Sequence, residues 1–164
     1  MVGFICSAFK RLVEKSEGFE GFMSGKGPRF EPTEVYRFDV FVSYSVRDSK
    51  LALEIAEAFS EKGLVCFLSE KDIRAGKIWR EEIRDALWSS RVVVVLLTPD
   101  SVKSKWVMCE AGAFWVLKKP LIPAYVYVEI DELPELISEH QCRHIEASSD
   151  RAAFINEVFE LCGK

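Results

Sequence analysis

The segment Trp106-Val107-Met108-Cys109-Glu110 holds the residue types and spacing best suited to chemistry. On a helix, Trp106 and Glu110 share one face, because residues four apart lie above one another. An aromatic plate then stands beside a carboxylate. The pair follows an apolar run, Val92 to Leu97, and a turn signal, Thr98-Pro99-Asp100. At the entrance to a helix just after a buried strand, it can hold a planar ring and act on the bond next to it. The plainer alternative has Trp106 packing on the core and Glu110 solvated near a helix N-terminus, where negative charge is favoured anyway.

The elements that must position this pair alternate along the chain. Phe38 to Tyr44 is a short strand of apolar, β-branched and aromatic residues. Residues 48–62 form a helix with Leu51, Ala52, Ile55 and Phe59 on one face, and Gly63 is its stop. Leu64 to Leu68 is a second strand, and Ser69 to Ile78 a loop containing Gly76. Residues 79–90 form a helix with Trp79, Ile83, Ala86 and Leu87 inward. Val92 to Leu97 is apolar at every position, so this third strand is buried on both faces. Residues 104–118 form a helix. Leu121 to Val128 is a fourth strand, which Pro123 should weaken or kink. Arg143 to Ile145 is a short fifth strand, and residues 150–162 a final helix.

Strands alternating with helices imply βαβ units, a mainly parallel sheet with helices on both faces, and a doubly wound α/β fold. Ligands of such sheets bind outside the carboxyl ends of the strands, where strand order switches. The loops 44–49, 69–78 and 98–105 leave those ends. Upstream, Val2, Ile5, Phe9, Leu12 and Val13 give residues 1–16 the spacing of an amphipathic helix. Residues 17–34 are a Gly- and Pro-containing linker interrupted by Phe19, Phe22 and Phe30. The expected division is therefore 1–35, helix and linker, and 36–164, one α/β domain.

Composition narrows the function. With 164 residues, 49% of them apolar and 29% charged, most of the chain should fold around a sizeable core. A net charge of -4 gives no general attraction to nucleic acid or to anionic membrane. The five cysteines include no C-x-x-C pair, which suits buried free thiols in a reducing compartment. No apolar stretch is long enough for a membrane span, and Lys10 and Arg11 follow the first apolar stretch instead of preceding it, unlike a signal peptide. A cytoplasmic protein is expected. His140, Cys142 and His144 would share a strand face, but no fourth ligand is specified, and no metal site is expected. Gly21 to Lys26 is one residue short of a phosphate-binding loop, and no G-x-S-x-G elbow is present.

Three segments together carry a family resemblance. Phe38-Asp39-Val40-Phe41-Val42-Ser43-Tyr44-Ser45 resembles the first box of Toll/interleukin-receptor (TIR) domains. Phe67 to Trp79 resembles the second box and the loop between the second strand and second helix. Leu96-Leu97-Thr98-Pro99-Asp100-Ser101, then Ser104-Lys105-Trp106 and Glu110, is similar to the third strand and W-x-x-x-E segment of bacterial and plant-like members. The resemblance spans roughly residues 36–162 in matching order and spacing.

It implies a flavodoxin-like sheet of five parallel strands and one of two activities. Some members are NAD+ glycohydrolases, cleaving the nicotinamide–ribose bond to give ADP-ribose or a cyclic ADP-ribose. Others are non-catalytic signalling adaptors that act through TIR–TIR contacts. The cleaving members carry a glutamate at the position of Glu110, so the resemblance favours the enzyme, with Glu110 catalytic. NAD+ is then substrate, and no cofactor is implied. Substrate contacts are expected from Ser43 and Tyr44 at the mouth of the first strand, from the bases Arg47, Lys71, Arg74 and Lys77 as a pyrophosphate cradle, and from Trp79 or Trp106 as a stacking wall. A solvated loop face or a protein-contact surface is the plainer reading of Lys71, Arg74 and Lys77. Several catalytic members have a base immediately after the Ser-Tyr of the first box; here Ser45 and Val46 intervene before Arg47. The expected partners are further copies of the chain, in homotypic assembly that activates it, and an upstream sensor. The expected setting is defence signalling.

Overall fold

The computed structural model describes residues 36–69, 79–104, 107–108, 112, 119–138 and 140–164. The expected N-terminal helix and linker of residues 1–35 lie outside this set. The strands are β1 (Phe38–Ser43), β2 (Cys66–Leu68), β3 (Ser90–Leu97), β4 (Leu121–Tyr125) and β5 (Arg143–His144). The helices are α1 (Ser49–Glu61), α2 (Trp79–Trp88), α3 (Glu135–Ser138) and α4 (Ser148–Leu161). All strand pairs are parallel, in the order β2-β1-β3-β4-β5. From β1 the chain goes first to one side, to β2, and then to the other, to β3. The switch in strand order therefore falls between β1 and β3. The expected five-stranded, doubly wound sheet is what the chain builds.

Period-two alternation along the central strands divides the core into two layers. On one face, Val40, Val42, Val92, Val94 and Leu96 pack against Ala52, Ile55 and Phe59 of α1 and Phe154, Ile155 and Val158 of α4. On the other, Phe41, Val93, Val95 and Leu97 meet Ile83, Ala86 and Leu87 of α2, with Val107 and Ile137. Val92 to Leu97 are all fully buried, as an uninterrupted apolar run requires. Each such side chain contributes about 1.5–3 kcal/mol relative to exposure.

The termination of α1 follows from one residue. Gly63 has φ +79°, which a residue with a Cβ adopts only at a cost. The Leu64 amide donates to the Phe59 carbonyl at 3.0 Å and the Gly63 amide to Ser60 at 2.9 Å, so the last carbonyls are satisfied in a Schellman turn.

Strand boundaries differ from expectation by one to three residues: β1 ends at Ser43 and β5 at His144, and the differences at β2, β3 and β4 have identifiable causes. Strand β2 starts at Cys66, because Leu64 belongs to that turn and the Val65 amide donates to the Asp39 side chain at 2.8 Å. Helix α2 ends at Trp88, and Ser90 joins β3, paired with Phe38. Strand β4 ends at Tyr125, yet its ladder runs unbroken through Pro123, paired with Val95. The amide of Val93 reaches Pro120, that of Val126 reaches Leu97, and that of Ile145 reaches Tyr125. Even-numbered residues of β4 therefore face β3 and odd-numbered ones face β5. The N–H that Pro123 lacks would point toward β5, which pairs only with Ala124 and Tyr125. No ladder bond is lost there, so proline is tolerated.

At the amino end of the sheet, charged groups are tied into backbone. The Asp39 side chain, 7% exposed, pairs with Lys164 at 2.8 Å and Arg91 at 3.5 Å besides accepting the Val65 amide. Lys119 is buried and donates to the carbonyls of Trp88, at 2.6 Å, and Ser90. Its ammonium also lies 5.2 Å from the centre of the Tyr36 ring. Cys162 sits below Asp39, and its thiol is pushed up to about 11, by burial first and by the Asp39 charge second.

Candidate functional site

The switch point between β1 and β3 is bridged by polar side chains from the two loops that leave it. After β1, Ser43 is fully buried and Tyr44 is 2% exposed, packed into the α1–α4 layer. The chain then makes a single 3-10 turn, Val46–Asp48, before α1. After β3, Thr98 leads into a turn and a second 3-10 turn, Ser101–Lys103. Thr98 and Ser101 brace each other: the Thr98 amide donates to the Ser101 hydroxyl at 2.6 Å, and the Ser101 amide to the Thr98 hydroxyl at 3.1 Å. This reciprocal bonding, typical of Ser and Thr at turn starts, holds the β3 loop in one shape.

The Thr98 hydroxyl is thereby an acceptor for backbone amides, so its own proton is directed outward. It donates to Asp48 at 2.7 Å, tying the two loops together across the switch point. Burial pushes the Asp48 carboxyl above its ordinary value; the Thr98 bond opposes this, and the charge of Asp100 adds to it. Beside this bond, Arg47 pairs with Asp100 at 3.0 Å, with side chains 78% and 44% exposed. The guanidinium is thus on the surface beside the switch point, neutralised by a neighbour that solvent reaches. An arriving anion can compete for it, since an exposed pair of this kind is held weakly.

Strand β2 contributes Ser69 to the same end of the sheet. Its amide donates to the Val42 carbonyl at 3.1 Å, and its buried hydroxyl has no hydrogen-bond partner among the described residues. The segment after β3 turns helical at Val107 and Met108. Ser104 begins it: its hydroxyl accepts the Val107 amide at 3.4 Å and its carbonyl the Met108 amide at 3.2 Å. Val107 is fully buried against the β3 face.

Of the residues singled out by sequence, Ser43, Tyr44 and Arg47 are brought to the switch point, the first two as buried groups and the third as an exposed cation. Trp106 and Glu110, which flank Val107 and Met108 in sequence, lie outside the described residues. So do Lys71, Arg74 and Lys77. Trp79 is the first residue of α2, and its side chain is likewise outside the described set. Asp48, Thr98 and Asp100 escaped sequence reasoning as site residues. The Thr-Pro-Asp-Ser stretch signalled a turn, but nothing in its spacing pointed to a partner in the loop after β1. Among the described residues, no group of His, Cys, Asp and Glu could hold a metal ion, and no helix is long and apolar enough to cross a membrane.

Comparison with known proteins adds three findings. The family profile described as TIR domain matches residues 40–158. Among curated proteins, the chain is 35% identical over 82 residues to NAD(+) hydrolase TirS of Staphylococcus aureus, covering 49% of this chain and 29% of that protein. It is also 29% identical over 110 residues to Toll-like receptor 2 of Homo sapiens, covering 65% of this chain and 14% of the receptor. The chain therefore spans less than a third of the length of these relatives. Among solved structures, the TIR domain of the Toll-related receptor TRR-2 from Hydra magnipapillata superposes with a TM-score of 0.64 at 21% identity, covering 77% of this chain and 99% of that one. A TIR-STING receptor from C. gigas gives a TM-score of 0.66 at 20% identity, over 84% of this chain and 42% of that one. With a profile match running from β1 into α4, on a parallel sheet of the same fold, this chain belongs to the TIR domain family.

Proposed function

We propose that the chain is an NAD+ glycohydrolase, cleaving the nicotinamide–ribose bond when copies of it assemble. The observation that carries this is the similarity to NAD(+) hydrolase TirS, together with Glu110 in the Trp106-x-x-x-Glu110 segment. The chemistry asks little of the protein as an acid. The nicotinamide ring starts positively charged and departs neutral, so charge builds on the ribose as an oxocarbenium-like species. Glu110 is the carboxylate assigned to stabilise it. Arg47, exchanging Asp100 for a phosphate oxygen, supplies one contact to the diphosphate, and the Asp48–Thr98 bond keeps that loop in place. The released ADP-ribose carbon takes water, or an internal nucleophile that closes a ring.

The test is to incubate concentrated, assembled protein with NAD+ and measure free nicotinamide. Turnover is expected in the native chain, with a loss of about 10²–10³ in Glu110→Ala, the usual effect of removing one preorganised electrostatic group. An alanine variant that keeps native turnover defeats the assignment. A second reading has its own support: the similarity to Toll-like receptor 2 covers more of this chain than that to TirS. On that reading the domain is an adaptor, and the assembled protein releases no nicotinamide at all.

A further inference from the structure

A concavity lies at the carboxyl edge of the sheet, on β4 and β5, away from the β1–β3 switch point. It has a volume of about 290 Å³ and is lined by three rings (Tyr125, Tyr127 and His144), two carboxylates (Glu129 and Glu146) and two aliphatic side chains. The Tyr125 and His144 rings touch, their centroids 5.0 Å apart and their planes tilted by 40°, so they present joined aromatic surface. Tyr127 has φ 60°, the one non-glycine residue in the left-handed region among those described. A bulky residue there costs about 1–2 kcal/mol. Its own packing does not offset that cost, because Tyr127 is 66% exposed. Ile130, which also lines the cavity, is 59% exposed.

Two carboxylates give the cavity a negative character. Glu146 lies 3.4 Å from His144, and Glu129 is oriented by a capping box with Glu132 while remaining exposed. Among the described residues, no lysine or arginine lines the cavity. Arg143, the adjacent base on β5, is committed to Glu157 by two bonds of 2.5 and 2.6 Å.

We propose that this cavity binds an organic cation, an ammonium or guanidinium head on an apolar stem. Electron-rich ring faces attract such a head, the carboxylates neutralise it, and the aliphatic lining covers the stem. An anionic ligand would meet the two carboxylates here. The cavity is thus opposite in sign to the anion contact at Arg47, and the proposal does not rest on NAD+ cleavage. The cation comes either as a free small molecule or as an arginine side chain of another protein.

The full-length chain, labelled with nitrogen-15, is titrated with butylguanidinium, with neutral butylurea as the isosteric control and N-acetylarginine amide as the side-chain probe. Saturable amide shifts confined to residues 125–130 and 144–146 are expected for the guanidinium and not for the urea. Glu146→Gln should weaken binding about tenfold. Tyr127→Gly removes the ring and relieves the backbone, so it should weaken binding by a similar factor without lowering Tm. Binding of N-acetylarginine amide as tightly as butylguanidinium supports a protein-borne cation, and weaker binding supports a free one. Equal binding of the urea, shifts mapping elsewhere, no shifts at all, or native affinity in Tyr127→Gly would each overturn the proposal.

Discussion

The two ends of the sheet use charge in opposite ways. At the amino end, Asp39 and Lys119 are buried and bonded to backbone: a Val65 amide for one, the Trp88 and Ser90 carbonyls for the other. At the carboxyl end, Arg47 and Asp100 are exposed and bonded to each other. A buried charge bonded to backbone cannot change partners without leaving a peptide group unsatisfied. An exposed pair can exchange one partner for solvent or ligand at little cost. The first arrangement serves stability, and the second leaves a cation available for binding.

The contrast is most easily broken at Lys119. Lys119→Met keeps the aliphatic stem but takes a donor from the buried Ser90 carbonyl and the part-buried Trp88 carbonyl, and should cost about 3 kcal/mol, read as a lower urea midpoint with an unchanged m-value. A loss as small as that of a surface lysine would end the distinction. Asp39→Ala comes next. It leaves the Val65 amide without its acceptor and removes the carboxylate from Arg91 and from Lys164, which keeps the Gly63 carbonyl, and should cost about 2 kcal/mol.

Asp48 stands between these extremes, partly buried and bonded to a side chain. Its folded-state value lies above the ordinary carboxyl value of 3.8, so the native state holds this proton more tightly than the unfolded chain does. Its contribution to stability is therefore full below the unfolded value and is lost as pH rises through the folded one. Asp48→Asn should stabilise the fold at neutral pH by less than about 1 kcal/mol, because solvent screens a half-exposed group, read as a small rise in Tm, and should flatten the mildly acidic part of the stability profile. The smallest stability effect is expected for Arg47→Ala, within about 0.5 kcal/mol. On the proposed NAD+ reading, the same variant should raise KM for NAD+ with little change in kcat, because a diphosphate contact would form in ground and transition states alike. A fall in kcat alone would assign Arg47 to the chemical step.

Local pattern carried the architecture. The uninterrupted Val92–Leu97 run and the spacing of Ala52, Ile55 and Phe59 before Gly63 were enough to order strands and helices. Boundaries failed where a long-range bond took over. Val65 reads as strand, yet its amide is given to Asp39. Ser90 reads as the end of a helix, yet its backbone joins β1. Pro123 reads as a break, and only the length of β5 makes it harmless. At the site, Arg47 was visible as a cation near the first strand's mouth. Its pairing with Asp100 was not, nor was the bond from Thr98 to Asp48, because each joins loops from different strands and leaves no local period.

Both margins of the sheet are brief, three residues in β2 and two in β5. Little unpaired ladder is left for a foreign strand to extend, which is how native proteins discourage edge-to-edge sticking. Copies that gather must therefore meet through side chains on loops and helices, an attachment that salt and dilution can undo, in contrast to the lasting backbone zipper of a fibril.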